Sequence, residues 1–305
     1  MWLCIPVLLF LSYGLNGNGE EVAARGRSAI LWMTARWSGV AGDLSHGWVI
    51  PLVSLFVVWR NRRSLVDAVR PPSTAGLCVL GLALILLPIG VRIQQTRLSL
   101  VSLVGVLWGL PFYLWGWSVA KRLIFPCAYL LFCVPMSFLD SMTFPLRLFA
   151  SGTAAVVLNG LGVAVTRVGT AIVSSAGGGI NLDVADPCSG LRYLLAMTAL
   201  TAAYAFITQK TLFKKWLLFL MAIPLAVAGN VARVAAIGLV AHFFGQKAAM
   251  GLYHDYSGYV VFGVAISLMI GLGAFIAVPW RGWLRNDALG AAGRDGSPSR
   301  PRAPR

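Results

Sequence analysis

Charge is what this chain lacks most: only 11% of its 305 residues are Asp, Glu, Lys or Arg. A water-soluble domain carries about 25%, so too few charges are present to clothe a soluble body of this size. Acidic residues are scarcer still, 10 against 25 basic ones, which leaves a formal net charge of +15. The five cysteines, Cys4, Cys78, Cys127, Cys133 and Cys188, are odd in number and form no CxxC pair. That pattern suits neither a disulfide framework nor a zinc site, and no cofactor or metal is expected. No internal repeat is evident, so a transporter built from inverted repeats gains no support. The first apolar run, Trp2 to Leu11, has no basic stretch before it and no convincing small-residue cleavage site after it. It therefore reads as a short first membrane helix and not as a signal peptide.

What the chain has in abundance is apolar surface: 58% hydrophobic residues and a mean hydropathy of +0.78. The solvent for most of that surface must be lipid. A bilayer span needs about 20 apolar residues. Candidate spans are Val40–Trp59, Ala75–Val91, Leu98–Ala120, Ile124–Leu139, Leu191–Thr208, Trp216–Phe244 and Gly258–Pro279. With the N-terminal run, the expectation is an all-α integral membrane protein of about eight helices, occupying residues 1–283. Residues 284–305, rich in Gly, Ala, Pro and Arg, read as a disordered basic tail.

Basic clusters set orientation. Arg60, Arg62, Arg63 and Arg70 share one loop, Lys121 and Arg122 the next, then Lys210, Lys214 and Lys215, and finally six arginines of the tail. These fall in alternate loops, so fifteen of the 25 basic residues lie on one side, with both termini cytoplasmic in an inner (plasma) membrane. Ten others, among them Arg25, Arg27, Arg36, Arg92 and Arg97, fall on or near the opposite side. The basic excess is read as contact with lipid headgroups and not with nucleic acid. Facing outward is the segment Asp140–Gly190. Its first half, Phe144 to Val168, with Arg147, Asn159 and Arg167, suits a helix lying along or dipping into the membrane surface. Its second half, with Gly177–Gly179 between Ile172-Val173 and Ile180-Asn181-Leu182, suits a small hairpin.

Four cysteines lie in apolar runs, where Cys acts as a small hydrophobe. Cys188 does not: it sits in Asp186-Pro187-Cys188-Ser189-Gly190-Leu191-Arg192, at the start of a helix. A helix N-terminus lowers a thiol's pKa, although a helix-opening turn with an incidental Cys would read the same. Asn230 and Arg233 lie one turn apart in a membrane helix. A charge there is costly and points to function, while a snorkelling Arg is the bland alternative. His254 stands in Tyr253-His254-Asp255-Tyr256-Ser257-Gly258 ahead of the last span, and by itself would be an ordinary interfacial histidine. The topology puts Cys188, Arg233 and His254 at one boundary. A thiol, an imidazole and a cation at one depth are the parts needed for acyl transfer.

Taken together these motifs resemble the exosortase/archaeosortase family over most of the chain. Ser45-His46-Gly47 looks like the family's start to a membrane helix, and Phe125-Pro126 through Val134-Pro135 like its Pro-punctuated middle helix. Cys188-Ser189-Gly190-Leu191-Arg192 resembles its nucleophile motif, Asn230-Val231-Ala232-Arg233 its Asn-x-x-Arg motif, and His254 with Ser257-Gly258 its His motif. Pro187 departs from the pattern, where a small residue such as Ala is expected. The resemblance implies a membrane cysteine protease and transpeptidase with Cys188 as nucleophile, Arg233 as cationic partner and His254 as proton-transfer residue, supported by Asn230, Ser189, Arg192 and His46. Its substrates would be membrane-anchored exported proteins ending in a short motif (such as PEP-CTERM), a membrane helix and a basic cluster. The alternatives are a non-catalytic assembly factor or transporter for exopolysaccharide export, and a plain intramembrane protease.

Overall fold

The computed structural model describes residues 4–15, 28–38, 45–68, 71–135, 138–174, 181–183, 190–250 and 252–278. Helix α1 (Cys4–Leu9) continues into a wider π turn, Phe10–Leu15, and α2 covers Ala29–Ser38. A 3-10 turn, Ser45–Trp48, leads into α3 (Val49–Arg60), followed by the short α4 (Arg62–Val66). Next come α5 (Thr74–Arg92), α6 (Thr96–Tyr129) with a 3-10 extension to Cys133, and α7 (Phe138–Gly160). Three short strands follow: β1 (Val165–Val168), β2 (Ala171–Ser174) and β3 (Asn181–Asp183). The chain closes with α8 (Gly190–Thr208), α9 (Leu212–Phe244), the short α10 (Gln246–Met250) and α11 (Leu252–Ala277).

The fold is all-α and membrane-associated. Among the described residues, four helical stretches are long and apolar enough to cross a bilayer: Thr74–Arg92, Thr96–Cys133, Leu212–Phe244 and Gly258–Ala277. Their outer faces carry exposed side chains such as Leu82, Leu220, Val260 and Leu268, as lipid allows and water does not.

The second of these stretches folds back on itself. Gly116 leaves the helix with φ 73° and ψ −178°, a combination that side chains other than hydrogen do not accept. The two arms then run antiparallel: the Trp108 indole Nε1 donates to the Ala120 carbonyl at 2.9 Å, and the Arg97 Nε to the Pro135 carbonyl at 2.9 Å. The sequence had suggested a break at Lys121-Arg122, yet both lie inside the second arm. Backbone freedom at one glycine, and not the charged pair, sets the turn. Gly116→Ala is expected to cost about 1–3 kcal/mol, read as a lower thermal midpoint of the detergent-solubilised protein. An unchanged midpoint would mean that the turn lies elsewhere.

Helix α5 packs antiparallel on the first arm through small residues. A Cβ on Gly76 would lie 2.4 Å from the Tyr113 backbone nitrogen, and one on Gly109 would meet Leu80 at 3.1 Å. The Ser102 hydroxyl donates to the Ala83 carbonyl at 2.6 Å and accepts from the Tyr13 hydroxyl at 2.7 Å. Close helix approach through Gly, Ala and Ser is how lipid-embedded helices associate without a hydrophobic driving force.

At one end of the bundle the basic residues gather. The Arg122 Nε donates to the Ser64 hydroxyl at 2.8 Å. Phe125, one turn on, stacks on Phe206 at 3.8 Å, and the Lys215 ammonium lies 4.2 Å over that Phe206 ring. The Lys214 ammonium donates to the Ala277 carbonyl at 3.1 Å. Two basic residues at the opposite end are held by protein groups: Arg97 by Pro135, with its guanidinium 5.6 Å over Trp32, and Arg36 at 5.2 Å over the same ring.

Residues 144–168 do not form one surface helix. Helix α7 ends at Gly160, Gly162 has φ 85°, and β1 follows. Two of the polar residues that suggested a headgroup-facing helix tie these elements together. The Asn159 side chain pairs with the Val165 backbone, donating to its carbonyl at 2.9 Å and accepting from its amide at 3.1 Å. Arg167 donates to the Leu148 carbonyl at 3.0 Å. The sheet is antiparallel in the order β1-β2-β3, with Ile172 opposite Leu182. Its buried Val165 and Ile172 join Leu158, Val234, Ile237 and Ala241 in one apolar cluster, so the sheet packs on the last three turns of α9.

Candidate functional site

Three of the closing helices, α8, α9 and α11, surround Arg233. Helix α9 begins at Thr211, whose hydroxyl accepts from the Lys214 amide at 3.4 Å, and ends at Gly245 with φ 82°. From Lys215 to Arg233 is about 27 Å at 1.5 Å per residue, close to the hydrocarbon thickness of about 30 Å. Arg233 therefore stands at the far edge of the span from Lys215. Both Arg233 and Asn230 are 6% exposed, so Arg233 is enclosed by protein and does not snorkel to headgroups.

What encloses it is informative. A partly open cleft, about 250 Å³ with the open solvent at its mouth included, is lined by Met197 of α8, Gly229, Asn230 and Arg233 of α9, and Val261 and Phe262 of α11, among others. Helices α8 and α9 run antiparallel, since Met197 packs with Ala226 and Ala205 with Leu218. Helices α9 and α11 do the same, with Ala226 against Ala265 and Lys214 bonded to Ala277. Moving seven residues outward from the Met197–Ala226–Ala265 layer reaches Gly190, Arg233 and Gly258, about 10 Å in each helix. These three backbone positions share one level, at the end opposite the basic cluster.

Of the residues singled out in the sequence, Cys188 and Ser189 lie outside the described residues. For Arg192 and His254 only the backbone is described, on the first turn of α8 and near the start of α11. The Asn230 Oδ1 is buried with no hydrogen-bond partner among the described residues, an arrangement with a cost of about 1–3 kcal/mol. His46 lies in the 3-10 turn before α3, which packs beneath α2: a Cβ on Gly47 would come within 2.4 Å of the Trp37 indole. Trp37 is itself fixed by donating to the Cys133 carbonyl at 2.9 Å. Both His46 ring nitrogens are buried without a hydrogen-bond partner among the described residues. Burial lowers its pKa and favours the neutral ring; the Phe132 backbone offsets this in part without meeting hydrogen-bond geometry. Trp37 and Cys133 also cluster with Leu195 and Ala199 of α8, so His46 stands on the α2/α3 side of α8 while Arg233 stands on the α9 side.

Arg147 was not read from the sequence as a site residue, yet it lines a second cavity with Asn230. Its signal was the guanidinium between Leu146 and Leu148, which amphipathic patterning alone assigned to the membrane surface. Among the described residues no group of three or more His, Cys, Asp or Glu is placed to hold a metal ion.

Residues 32–271 match the family described as transmembrane exosortase. The chain belongs to that family. The match spans α2 through most of α11 and so includes every candidate site residue. No curated protein and no solved structure matches the chain. Membership in the transmembrane exosortases supports a sorting or transpeptidase role in general.

Proposed function

We propose that this exosortase is a cysteine transpeptidase of the inner membrane that cleaves the C-terminal sorting signal of membrane-tethered exported proteins. The Cys188 thiolate attacks the scissile carbonyl and the C–N bond breaks, leaving a thioester. The Arg233 guanidinium offsets the developing oxyanion, and His254 delivers a proton to the departing amine. An acceptor amine then attacks the thioester and gives its proton to His254, and the thiolate leaves. The carrying observation is the shared level of Gly190, Arg233 and Gly258, two residues after Cys188 and four after His254. That level lies at the end away from the basic cluster, which suits an extracytoplasmic site with both termini cytoplasmic. A substrate whose scissile motif sits just outside its own membrane helix would meet it there.

Hydroxylamine tests the thioester. Added during processing, it should convert part of the product to a hydroxamate at the new C-terminus, detected by mass spectrometry. Processed substrate carrying a free carboxylate and no hydroxamate would contradict the acyl-enzyme.

A further inference from the structure

The small sheet has two outer edges, and the chain treats them differently. In an antiparallel pair, alternate residues turn their backbone N–H and C=O groups toward the partner strand and away from it. The Asn159 side chain takes both backbone groups of Val165, the amide at 3.1 Å and the carbonyl at 2.9 Å. Val165 and, two residues on, Arg167 are therefore the β1 residues that turn outward. Ile172 stands opposite Arg167, so its backbone groups turn toward β3, where Leu182 faces it. By the same alternation, Asn181 and Asp183 turn their backbone groups to the far side of β3. Among the described residues, the β1 edge is engaged by Asn159 of α7, while no strand pairs with the far side of β3.

That edge stands close to the chemistry. Val165 and Ile172 pack on Val234, Ile237 and Ala241 of α9, a stretch that starts next to Arg233 and ends about 12 Å beyond it. The sheet thus sits just outside the level of Arg233. Asp183 closes β3 and precedes Cys188 by five residues, a reach of at most about 18 Å.

We infer that the substrate segment carrying the scissile bond adds to this sheet as a fourth strand, hydrogen-bonded to the backbone of Asn181 and Asp183. This rests on the transpeptidase reading and deepens it by naming how that site holds its substrate. An edge strand offers donors and acceptors at the repeat of another extended chain, so the occupant is a peptide. A second copy of this chain would gain too few bonds from three residues to pair stably. A precursor already held in the bilayer by its own helix needs few bonds, because its local concentration at the edge is high. Main-chain bonding also sets the depth of the scissile bond whatever side chains flank it.

The probe is a tagged precursor from the encoding strain, one ending in a short motif, a membrane helix and a basic cluster. Full-length protein carrying Cys188→Ala would hold p-benzoylphenylalanine in place of Asp183 or, for comparison, of Val168 on β1. Irradiation of membranes should join precursor at 183 at least tenfold more than at 168. Mass spectrometry should map the joined peptide to the stretch just before the precursor's membrane helix. With Cys188 intact, Asp183→Ala, which keeps the backbone N–H, serves as reference. Asp183→Pro removes that outward N–H, a change that sheet edges tolerate, and should process precursor roughly tenfold more slowly than the reference, as one lost hydrogen bond predicts. Should the Pro variant lower the thermal midpoint, 2-hydroxypropanoate in place of Asp183, which has the Ala side chain but no N–H, decides. No crosslink at 183, equal crosslinking at both positions, crosslinking to a second copy of the chain, or processing at the reference rate without the N–H would each overturn the inference. The crosslinked protein lacks the thiol, so hydroxylamine trapping can fail with the crosslink intact, and the crosslink can fail with the thioester trapped.

Discussion

Cys188→Ala is expected to leave substrate full-length in the membrane, with no processed product, in a strain whose other genes are unchanged. The argument is chemical: without the sulfur no thioester forms, and the account gives Arg233 and His254 charge-stabilising and proton-transfer roles, not that of nucleophile. Cys188→Ser sharpens the test. A hydroxyl has almost the shape of the thiol but far less anionic character near neutral pH, so a site built for a thiolate should use it much more slowly. Immunoblots of a tagged substrate would separate precursor from product for both variants. If the Ala variant still processes its substrate, the nucleophile is some other group, and a non-catalytic role in assembly or export becomes the better account.

Arg233→Gln is expected to lower processing by roughly 100- to 1,000-fold, the effect of removing one donor from a developing oxyanion. The substitution keeps a long polar side chain, so folding is a fair control. Arg233 is enclosed by α8, α9 and α11, and a charge held within the membrane is costly and is by default a candidate for function. Arg233→Lys keeps the charge but loses the planar fork, and should fall between wild type and Gln. Precursor accumulation together with the thermal midpoint would be measured for each. Loss of activity with an unchanged midpoint places Arg233 in the chemistry. Wild-type turnover in the Gln variant would remove it.

Much of the bundle was legible because lipid imposes a simple rule on sequence. The expected Leu191–Thr208 is helical, as α8 and one residue longer, since an apolar run bounded by Gly190 and by Gln209-Lys210 leaves little choice, but among the described residues it is not one of the four stretches long and apolar enough to cross a bilayer. The fold-back in α6 was misplaced by five residues because charge, the usual marker of a loop, was outweighed by a positive φ at Gly116. Strand β1 was hidden inside an apparent amphipathic helix. Its Val165 faces the α9 cluster and Thr166–Val168 do not, a pattern of four residues too short to separate from helical spacing. Arg147 escaped notice for a related reason: on one helix it looks like a headgroup contact, and only α8 and α9 folded beside it make it a cavity wall. Asn230 and Arg233 were legible because polar groups in an apolar helix must find company, and their three-residue spacing places them on one face.

The most direct measurement concerns the sulfur. In intact cells, with Cys4, Cys78, Cys127 and Cys133 replaced by Ala, a membrane-impermeant maleimide should modify Cys188 without permeabilisation. Modification only after the inner membrane is opened would put the thiol at the basic end of the bundle, away from Arg233, and would contradict the account.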